Sequence, residues 1–477
     1  MVWRQMDSEF GKCLEDAVGP AAASVVTEAL EGPASVSVRL NPFKWNADAE
    51  AAGRHFSCGA SSVQWSGHGF LLDTRPSFTL DPYLHAGAYY VQDSSAMFVG
   101  ELFRHCMAEM EPVGRPFRVL DLCAAPGGKT TDLAASLRDR FGNGFILVAN
   151  EVMRGRAGVL SDNAALWGDP NVVVTSADPA AFSRLGGFFD MVLADVPCSG
   201  EGMFRKDPEA VSQWSMENVA LCRTRQRRIV ADVWPALSPD GILVYSTCTF
   251  NRYENDDNVR WICDTLGAED AVPGSMQALA DSGGAVRTGS GFLLLPGFVP
   301  GEGQYCAAVR KTAAQDDGKP AAMKFRRGPG IDGRKGNDGP DAWFREEVRF
   351  RTAGDMLVAV PESIDDDVRL VSAAVRTLRS GCTVGRMKGK ILVPDADLAL
   401  DIMLEDGAFP SAELDSGQAL SFLHGDAMVI RDRPEGYLSV CYDGLPVGFV
   451  KNLGTRCNNL HPQTRRIRMD IDKDKML

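Results

Sequence analysis

The sequence predicts an α/β protein built around a doubly wound, largely parallel β-sheet. Between residues 117 and 311, short apolar strands alternate with helical segments, which is the pattern of parallel strands joined by crossover helices. The first of these strands runs into a turn of small residues that opens a helix. Open α/β sheets bind ligands at the carboxyl ends of their strands, so this turn marks the expected site.

The length and composition indicate a globular protein of two to four domains. The chain has 477 residues, of which 45% are hydrophobic, enough to bury a large core. It contains no run of eighteen apolar residues, and its first sixteen residues carry acids where a signal peptide would need a basic and then an apolar run. We therefore expect a cytoplasmic protein with no membrane partner.

The cysteine spacing and the net charge exclude further classes of protein and of binding site. The twelve cysteines form no CxxC pair or Cys/His cluster, so reduced thiols are expected, with neither disulfides nor a metal site. A net charge of -13, taken alone, argues against a polyanionic partner. Two basic runs, Lys324–Lys335 and Arg456–Arg468, are ordinary solvated surface unless other evidence indicates nucleic acid.

The first part of the chain, residues 1–112, is predicted to be a small α+β domain. Helical periodicity covers residues 7–31, and Ala34–Leu40 alternates as a half-buried strand does. Gly69–Leu72 and Phe78–Leu80 are candidates for further strands, and Asp93 or Ser94 for the cap of a helix that reaches about Met110.

The second domain, residues 113–315, is predicted to hold five parallel strands and a closing antiparallel pair, Gly291–Leu295 with Tyr305–Val309. A functional group follows each parallel strand: the small-residue turn, Glu151, Asp178, Asp195 with Cys198, and Cys248. These strands are Val119–Leu122, Phe145–Ala149, Val172–Thr175, Met191–Ala194 and Ile242–Ser246.

The turn from Cys123 to Lys129 has the character of a nucleoside pocket. Its small side chains let a ligand approach the backbone, and the following helix offers free N–H groups. The spacing matches neither a P-loop nor GxGxxG. Glu151 is placed to accept ribose hydroxyls and Asp178 to accept an adenine amino group. The alternative for each acid is a helix cap or an ordinary loop residue.

Two segments carry the expected chemistry, Ala194–Pro208 and Tyr245–Asp256. They place Asp195, Cys198 and Cys248 on neighbouring strand ends, which suggests a thiol nucleophile with an acid partner. The residues alone leave open which cysteine attacks. Between these segments, Glu209–Ala236 is a predicted helix whose arginines face either water or RNA.

These motifs resemble the Nop/Sun family of RNA cytosine-5 methyltransferases, and most of all its bacterial 16S ribosomal RNA members with a C-terminal PUA-like region. The resemblance covers residues 34–311, with Val196 and Glu151 as slight departures from the usual Ala and Asp. It rests on YYVQDSSAM, LDLCAAPGGKT, NEV with Arg156, ADVPCSGEG and PDGILVYSTCTF.

The resemblance implies a Rossmann-like core with a mostly parallel seven-stranded sheet, and S-adenosylmethionine as cofactor. It assigns attack on cytosine C6 to Cys248, product release to Cys198, and stabilisation of the ring to Asp195. Lys129 supports either the cofactor loop or Asp195. The implied cofactor-binding residues are Cys123, Ala124, Ala125, Pro126, Gly127, Gly128, Lys129, Glu151, Arg156, Asp178 and Asp195.

Beyond the core we predict a linker at 316–340, a small mixed domain at 341–410 and a PUA-like RNA-binding domain at 411–477, with Ala427–Ile430 as one of its strands. The basic residues of Arg456–Arg468 would track phosphates. The predicted activity is C5 methylation of a cytosine in 16S rRNA by a monomer. The alternatives are a tRNA substrate and a non-catalytic ribosome-assembly factor that binds RNA.

Overall fold

A computed structural model describes residues 8–111, 114–312, 340–389 and 391–469. The predicted linker, apart from Pro340, and the basic run Lys324–Lys335 lie outside these ranges.

The N-terminal part contains a four-stranded antiparallel sheet in the order β2-β3-β1-β4. The helical pattern predicted over residues 7–31 is confirmed as two helices, which are separated at Gly19, with φ 80°, because Pro20 starts a new helix. The strand predicted at Phe78–Leu80 is wrong: local Leu80 N–H···O Ser77 and Asp81 N–H···O Phe78 bonds make it a 3-10 turn. Asp93 caps α5, as predicted. The elements are α1 (Ser8–Val18), α2 (Pro20–Leu30), β1 (Val36–Leu40), α3 (Ala49–His55), β2 (Ala60–Ser62), β3 (Gly69–Leu72), α4 (Pro82–His85), β4 (Tyr89–Val91) and α5 (Ser94–Ala108).

The central part follows the predicted alternation of strands and helices. Each of the five predicted parallel strands is present, extended by a few residues at one or both ends in four cases. The elements are β5 (Phe117–Asp121), α6 (Gly128–Phe141), β6 (Phe145–Asn150), α7 (Arg154–Trp167), β7 (Val172–Thr175), β8 (Phe189–Asp195), α8 (Pro208–Gln213), α9 (Met216–Val233), β9 (Leu237–Thr247), α10 (Asp256–Leu266), β10 (Ala268–Asp270), α11 (Ser275–Gly283), β11 (Val286–Arg287), β12 (Phe292–Leu294) and β13 (Gln304–Lys311).

The C-terminal part forms two further four-stranded sheets, β14-β15-β17-β18 and β19-β20-β21-β22. The strand predicted at Ala427–Ile430 is wrong, since this segment contributes only an isolated bridge between Met428 and Cys457. The elements are β14 (Val348–Ala353), β15 (Met356–Pro361), α12 (Asp365–Ala374), β16 (Thr377–Arg379), β17 (Cys382–Lys388), β18 (Ile391–Pro394), α13 (Ala396–Leu400), β19 (Ser411–Glu413), α14 (Ser416–His424), β20 (Gly436–Tyr442), β21 (Leu445–Asn452) and β22 (Cys457–Asn459).

The central sheet confirms the predicted fold class but is wider than expected. Within the described ranges it has ten strands rather than seven, in the order β11-β12-β13-β9-β8-β5-β6-β7-β16, with β10 paired to β13. The five strands from β9 to β7 are parallel, and the added strands are antiparallel. The strands β10 and β11 are too short to show a periodic pattern, and β16 joins from the C-terminal part.

Apolar layers cover both faces of this sheet. Successive residues of β5 point to opposite layers, Leu120 to one and Val119 to the other, and both are fully buried. This packing fixes the register of the parallel strands, so their carboxyl ends meet along one edge. The predicted functional residues all follow those ends.

Candidate active site

The small-residue turn lies between β5 and α6 and is held in place by α7. Gly127 has φ 117°, a conformation that favours glycine, and a Cβ on Gly128 would meet the Tyr90 ring at 3.2 Å. Arg156 Nη2 donates to the Ala125 carbonyl at 2.8 Å, and Asn163 Nδ2 donates to the Pro126 carbonyl at 2.8 Å. The turn is therefore fixed through its backbone rather than its side chains.

A cavity of about 430 Å³ opens beside this turn, within the usual size range of ligand sites. Four of the predicted cofactor residues line it, namely Cys123, Glu151, Arg156 and Asp178. The remaining predicted residues, Ala124, Ala125, Pro126, Gly127, Gly128, Lys129 and Asp195, lie in the adjoining turn and strand end. The full lining is Leu122, Cys123, Asn150, Glu151, Val152, Met153, Arg156, Asp178, Pro179, Pro197, Arg225, Arg228 and Ile229.

The two predicted acids differ in their surroundings. The buried Glu151 accepts the Met153 N–H at 2.8 Å and lies 3.3 Å from Arg156 Nη1. Asp178 is exposed and caps a 3-10 helix by accepting the Ala180 N–H at 3.1 Å. The helix-cap interpretation of Asp178 therefore holds, and the same side chain also borders the cavity.

Asn150 is a positioning residue that the sequence analysis missed. Its Nδ2 donates to the Leu122 and Ala177 carbonyls at 3.1 and 3.0 Å. Its Oδ1 accepts from Thr175 Oγ1 and from the Ala177 N–H, both at 3.0 Å. Both ends of this amide are hydrogen-bonded, so Asn150 holds three strand ends around the cavity. The sequence signal that could have indicated this role is a polar residue at the end of the otherwise apolar strand β6.

The two predicted cysteines face each other. Cys198 Sγ and Cys248 Sγ lie 3.2 Å apart, on loops that follow the paired strands β8 and β9. The contact with Cys248, together with burial, raises the pKa of Cys198 well above its usual range, so this thiol carries its proton at neutral pH. Burial likewise raises the pKa of Cys123, which makes that third thiol unreactive.

Asp195 is held by three neighbours at the end of β8. Lys129 Nζ lies 2.9 Å from Asp195 Oδ2, which is one of the two placements predicted for this lysine. Ser246 Oγ donates to Asp195 Oδ1, and Gln304 Nε2 donates to Asp195 Oδ1 at 3.3 Å and to Ser246 Oγ at 2.9 Å. Burial by itself would lower the pKa of Lys129, but the Asp195 carboxylate raises it, so the lysine is charged.

Two buried carboxylates fasten the cysteine loops together. Glu201, on the Cys198 loop, accepts the Phe250 and Asn251 N–H groups of the Cys248 loop at 2.6 and 3.1 Å. Glu254, on the Cys248 side, accepts the Ser199 N–H at 3.1 Å.

A layer of amides completes this arrangement. Gln226 Nε2 donates to Glu254 at 2.6 Å and also to the Pro197 carbonyl at 3.0 Å, so α9 joins both loops. Burial raises the pKa of Glu254 to about 6. The sequence analysis assigned no role to Glu201, Gln226 or Asn251, because buried polar pairings between distant residues leave no periodic signal.

The basic C-terminal segment is only partly available to RNA. Arg465 contacts Asp397 and Asp162, and Arg466 Nε donates to the His424 carbonyl at 2.6 Å. These two arginines are structural, contrary to the expectation that the whole run tracks phosphates. Arg456 and Arg468 are exposed.

The described residues contain no group of three or more His, Cys, Asp or Glu side chains that could hold a metal ion. Across the same parts of the chain, no helix is both long and apolar enough to cross a membrane.

Comparison with known proteins gives matches to three family models. Residues 109–310 match "16S rRNA methyltransferase RsmB/F", residues 6–94 match the N-terminal domain of 16S rRNA methyltransferase RsmF, and residues 409–467 match the RsmF PUA domain.

Two curated relatives carry the name ribosomal RNA small subunit methyltransferase F. The protein of Citrobacter koseri is 31% identical over 467 residues, which cover 91% of each chain. That of Pectobacterium atrosepticum is 34% identical, and the match spans 65% of this chain but only 63% of the relative's length.

Two solved structures share the fold. A methyltransferase homolog from Pyrococcus horikoshii is 25% identical with a TM-score of 0.51, covering 64% of this chain and 96% of its own. NSun6 from the same organism, solved with SFG, is 16% identical with a TM-score of 0.52, covering 65% of this chain and 99% of its own.

Proposed function

This chain belongs to the RsmB/F family of 16S ribosomal RNA methyltransferases, and from that premise we propose that it methylates C5 of a cytosine in 16S rRNA, with S-adenosylmethionine as cofactor. The observation that carries the proposal is the meeting of two thiols, 3.2 Å apart, on the loops that follow the paired strand ends at Asp195 and Ser246. The alternative of a binding-only assembly factor does not require such a pair. We further propose that the protein acts in the cytoplasm, which is consistent with a ribosomal RNA substrate.

The cavity beside the small-residue turn fits a nucleoside cofactor. Glu151 offers a buried carboxylate to the ribose hydroxyls, and Asp178 offers one to the adenine amino group. Val152 and Met153 line the same cavity and are 55% and 59% exposed, so they provide an apolar surface against which a base can pack. When bound, S-adenosylmethionine supplies an electrophilic methyl group. Arg156 orients both the Glu151 carboxylate and the turn.

The chemistry of the cysteines follows from their surroundings. Carbon 5 of cytosine becomes nucleophilic when the Cys248 thiolate adds to C6, because a C–S bond forms and the electron pair of the double bond moves into the ring. Asp195 shares a proton with ring N3 and accepts a hydrogen bond from the exocyclic amine, and so stabilises the charge that develops there. After C5 gains the methyl group, a base removes its remaining proton, the double bond returns and the thiolate leaves.

The contact between the two thiols supports separate roles for them. The Cys198 sulfur lies 3.2 Å from the Cys248 sulfur, so its S–H can stabilise the departing Cys248 thiolate. We assign attack to Cys248 and release of the product to Cys198.

Bisulfite sequencing of ribosomal RNA and tRNA tests the proposed activity. Cells lacking the protein are compared with cells complemented by the wild type or by Cys248→Ala. We expect one or more cytosines of 16S rRNA to lose protection on deletion and to regain it only with the wild type. A protected cytosine found in tRNA instead would favour the alternative substrate, and no change in either RNA would favour the assembly factor.

A further inference from the structure

The four arginines of α9 have different surroundings. Arg227 Nε donates to Asn258 Oδ1 at 2.8 Å, and its guanidinium lies over the Trp261 ring, so it joins α9 to α10. Arg223 is half-buried. Arg225 and Arg228 are exposed and line the cofactor cavity. The structure thereby separates one packing arginine from two that face a ligand site.

The two exposed arginines have little else to neutralise them. Among the described residues Arg225 has no carboxylate within ion-pair distance, and Arg228 has only the half-buried Asp232, at 3.9 Å. They lie three residues apart on one helix surface, next to Leu221, of which 65% is exposed. In a chain with a net charge of -13, these two guanidinium groups form a local positive patch on α9.

The position of the arginines limits which anion they can serve. The same cavity is bordered by Pro197, which immediately precedes Cys198. A target base that reaches the cysteines must therefore bring its own backbone close to the cavity mouth. Flipped bases are held by contacts to flanking phosphates, and guanidinium groups suit phosphate oxygens.

We propose that Arg225 and Arg228 bind the phosphates next to the target nucleotide, so that bound RNA lies over the mouth of the cofactor cavity and delays release of the cofactor. The inference rests on the proposed function and adds an order of binding and release. The cofactor binds before the RNA and dissociates after it.

Binding experiments with the full-length protein test the first part. The double variant Arg225→Glu/Arg228→Glu is compared with Arg260→Glu, an exposed arginine of α10 that is paired with Asp257. The probe is 16S rRNA extracted from cells that lack the protein, with S-adenosylhomocysteine present. We expect the double variant to bind this RNA at least ~10-fold more weakly. The slope of log affinity against log salt concentration should also become shallower, by the amount that about two phosphate contacts contribute. Arg260→Glu should stay within about twofold of the wild type.

The conservative variant Arg225→Lys/Arg228→Lys keeps the charges and should retain most of the affinity. Equal weakening by the control, or unchanged RNA binding by the double charge reversal, would overturn the proposal. Thermal unfolding of each variant confirms that the chain is folded.

Release of labelled S-adenosylhomocysteine tests the second part. RNA should slow its release from the wild type several-fold but leave release from the Arg225→Glu/Arg228→Glu variant almost unchanged. If the double variant instead loses affinity for S-adenosylhomocysteine without RNA as strongly as it loses RNA, the arginines serve the cofactor and the proposal is wrong. Because these assays need no turnover, their outcome is separate from that of the bisulfite experiment.

Discussion

Cys198 Sγ and Cys248 Sγ lie 3.2 Å apart at the ends of two parallel strands, and no intervening side chain keeps them from each other. Each loop is also fixed by a carboxylate of the other side, Glu201 for the Cys248 loop and Glu254 for the Cys198 loop. The relative position of the two sulfur atoms is therefore fixed by the protein itself, without bound RNA.

Single substitutions of the two cysteines should give opposite results. We expect Cys248→Ala to abolish turnover and to form no covalent complex, because the attacking sulfur is lost. Cys198→Ala should accumulate a protein–RNA adduct, since the departing thiolate loses its neighbouring S–H. Denaturing gels of labelled RNA with each variant measure this. An adduct with Cys248→Ala instead would reverse the roles.

Lys129→Met should lower kcat by roughly 10²-fold, since it removes the cation 2.9 Å from Asp195 and leaves that carboxylate poorly oriented. Lys129→Arg keeps the positive charge but changes the length and shape of the side chain. Its kcat should lie between that of Lys129→Met and that of the wild type. Single-turnover methylation at saturating RNA and cofactor gives the comparison. A normal kcat with weakened binding of S-adenosylhomocysteine would place Lys129 in the cofactor site alone.

Glu254 should make the protein less stable as the pH rises. Burial raises its pKa from 4.5 to about 6 in the folded protein. Its favourable contribution is therefore complete below pH 4.5 and is lost as the pH passes through about 6, a change of about 2 kcal/mol.

Glu254→Gln, which cannot ionise, isolates this effect. The unfolding free energy of the wild type minus that of the variant should decrease by that amount between pH 4 and pH 7. Glu217→Gln, at an exposed position of α9, controls for the loss of a carboxylate. A difference that is flat with pH would contradict the assignment.

Asp397→Asn should destabilise the protein by roughly 3–5 kcal/mol, because it removes the ion-pair partner of the buried Arg379 guanidinium and one of the two carboxylates that Arg465 contacts. Asp397 contacts Arg379 of β16 and Arg465 Nη1, the latter at 2.8 Å. Burial would raise the pKa of Asp397, but Arg379 and Arg465 lower it to about 2. The stabilising effect is thus present above pH 3.8 and is lost as the pH falls through about 2.

Urea unfolding at pH 7 measures this loss. The matched control is Asp406→Asn, whose carboxylate is 93% exposed and pairs with Arg345 at the surface; it should cost under about 1 kcal/mol. Equal effects of the two substitutions would show that the Asp397 network adds no net stability.

Several structural errors of the sequence analysis share one cause. Phe78–Leu80 and Ala427–Ile430 have apolar, strand-like composition, yet the first closes a local turn and the second makes only a single bridge. Arg465 belongs to a basic run but is tied to Asp162 of α7. In each case the conformation or the contact depends on specific hydrogen bonds or ion pairs. The order of apolar, polar and basic residues along the sequence does not reveal these partners.

The sequence by itself determined the family, the parallel strands and the residues gathered at their ends, because strand periodicity, small-residue turns and the cysteine motifs are local properties of the chain. Only the tertiary structure decided that β16 extends the sheet, that Glu201 and Gln226 fix the cysteine loops, and that Arg225 faces the cavity while Arg227 packs. These outcomes depend on buried hydrogen bonds and ion pairs between residues far apart in sequence, whose strength comes from exclusion of water in the folded molecule.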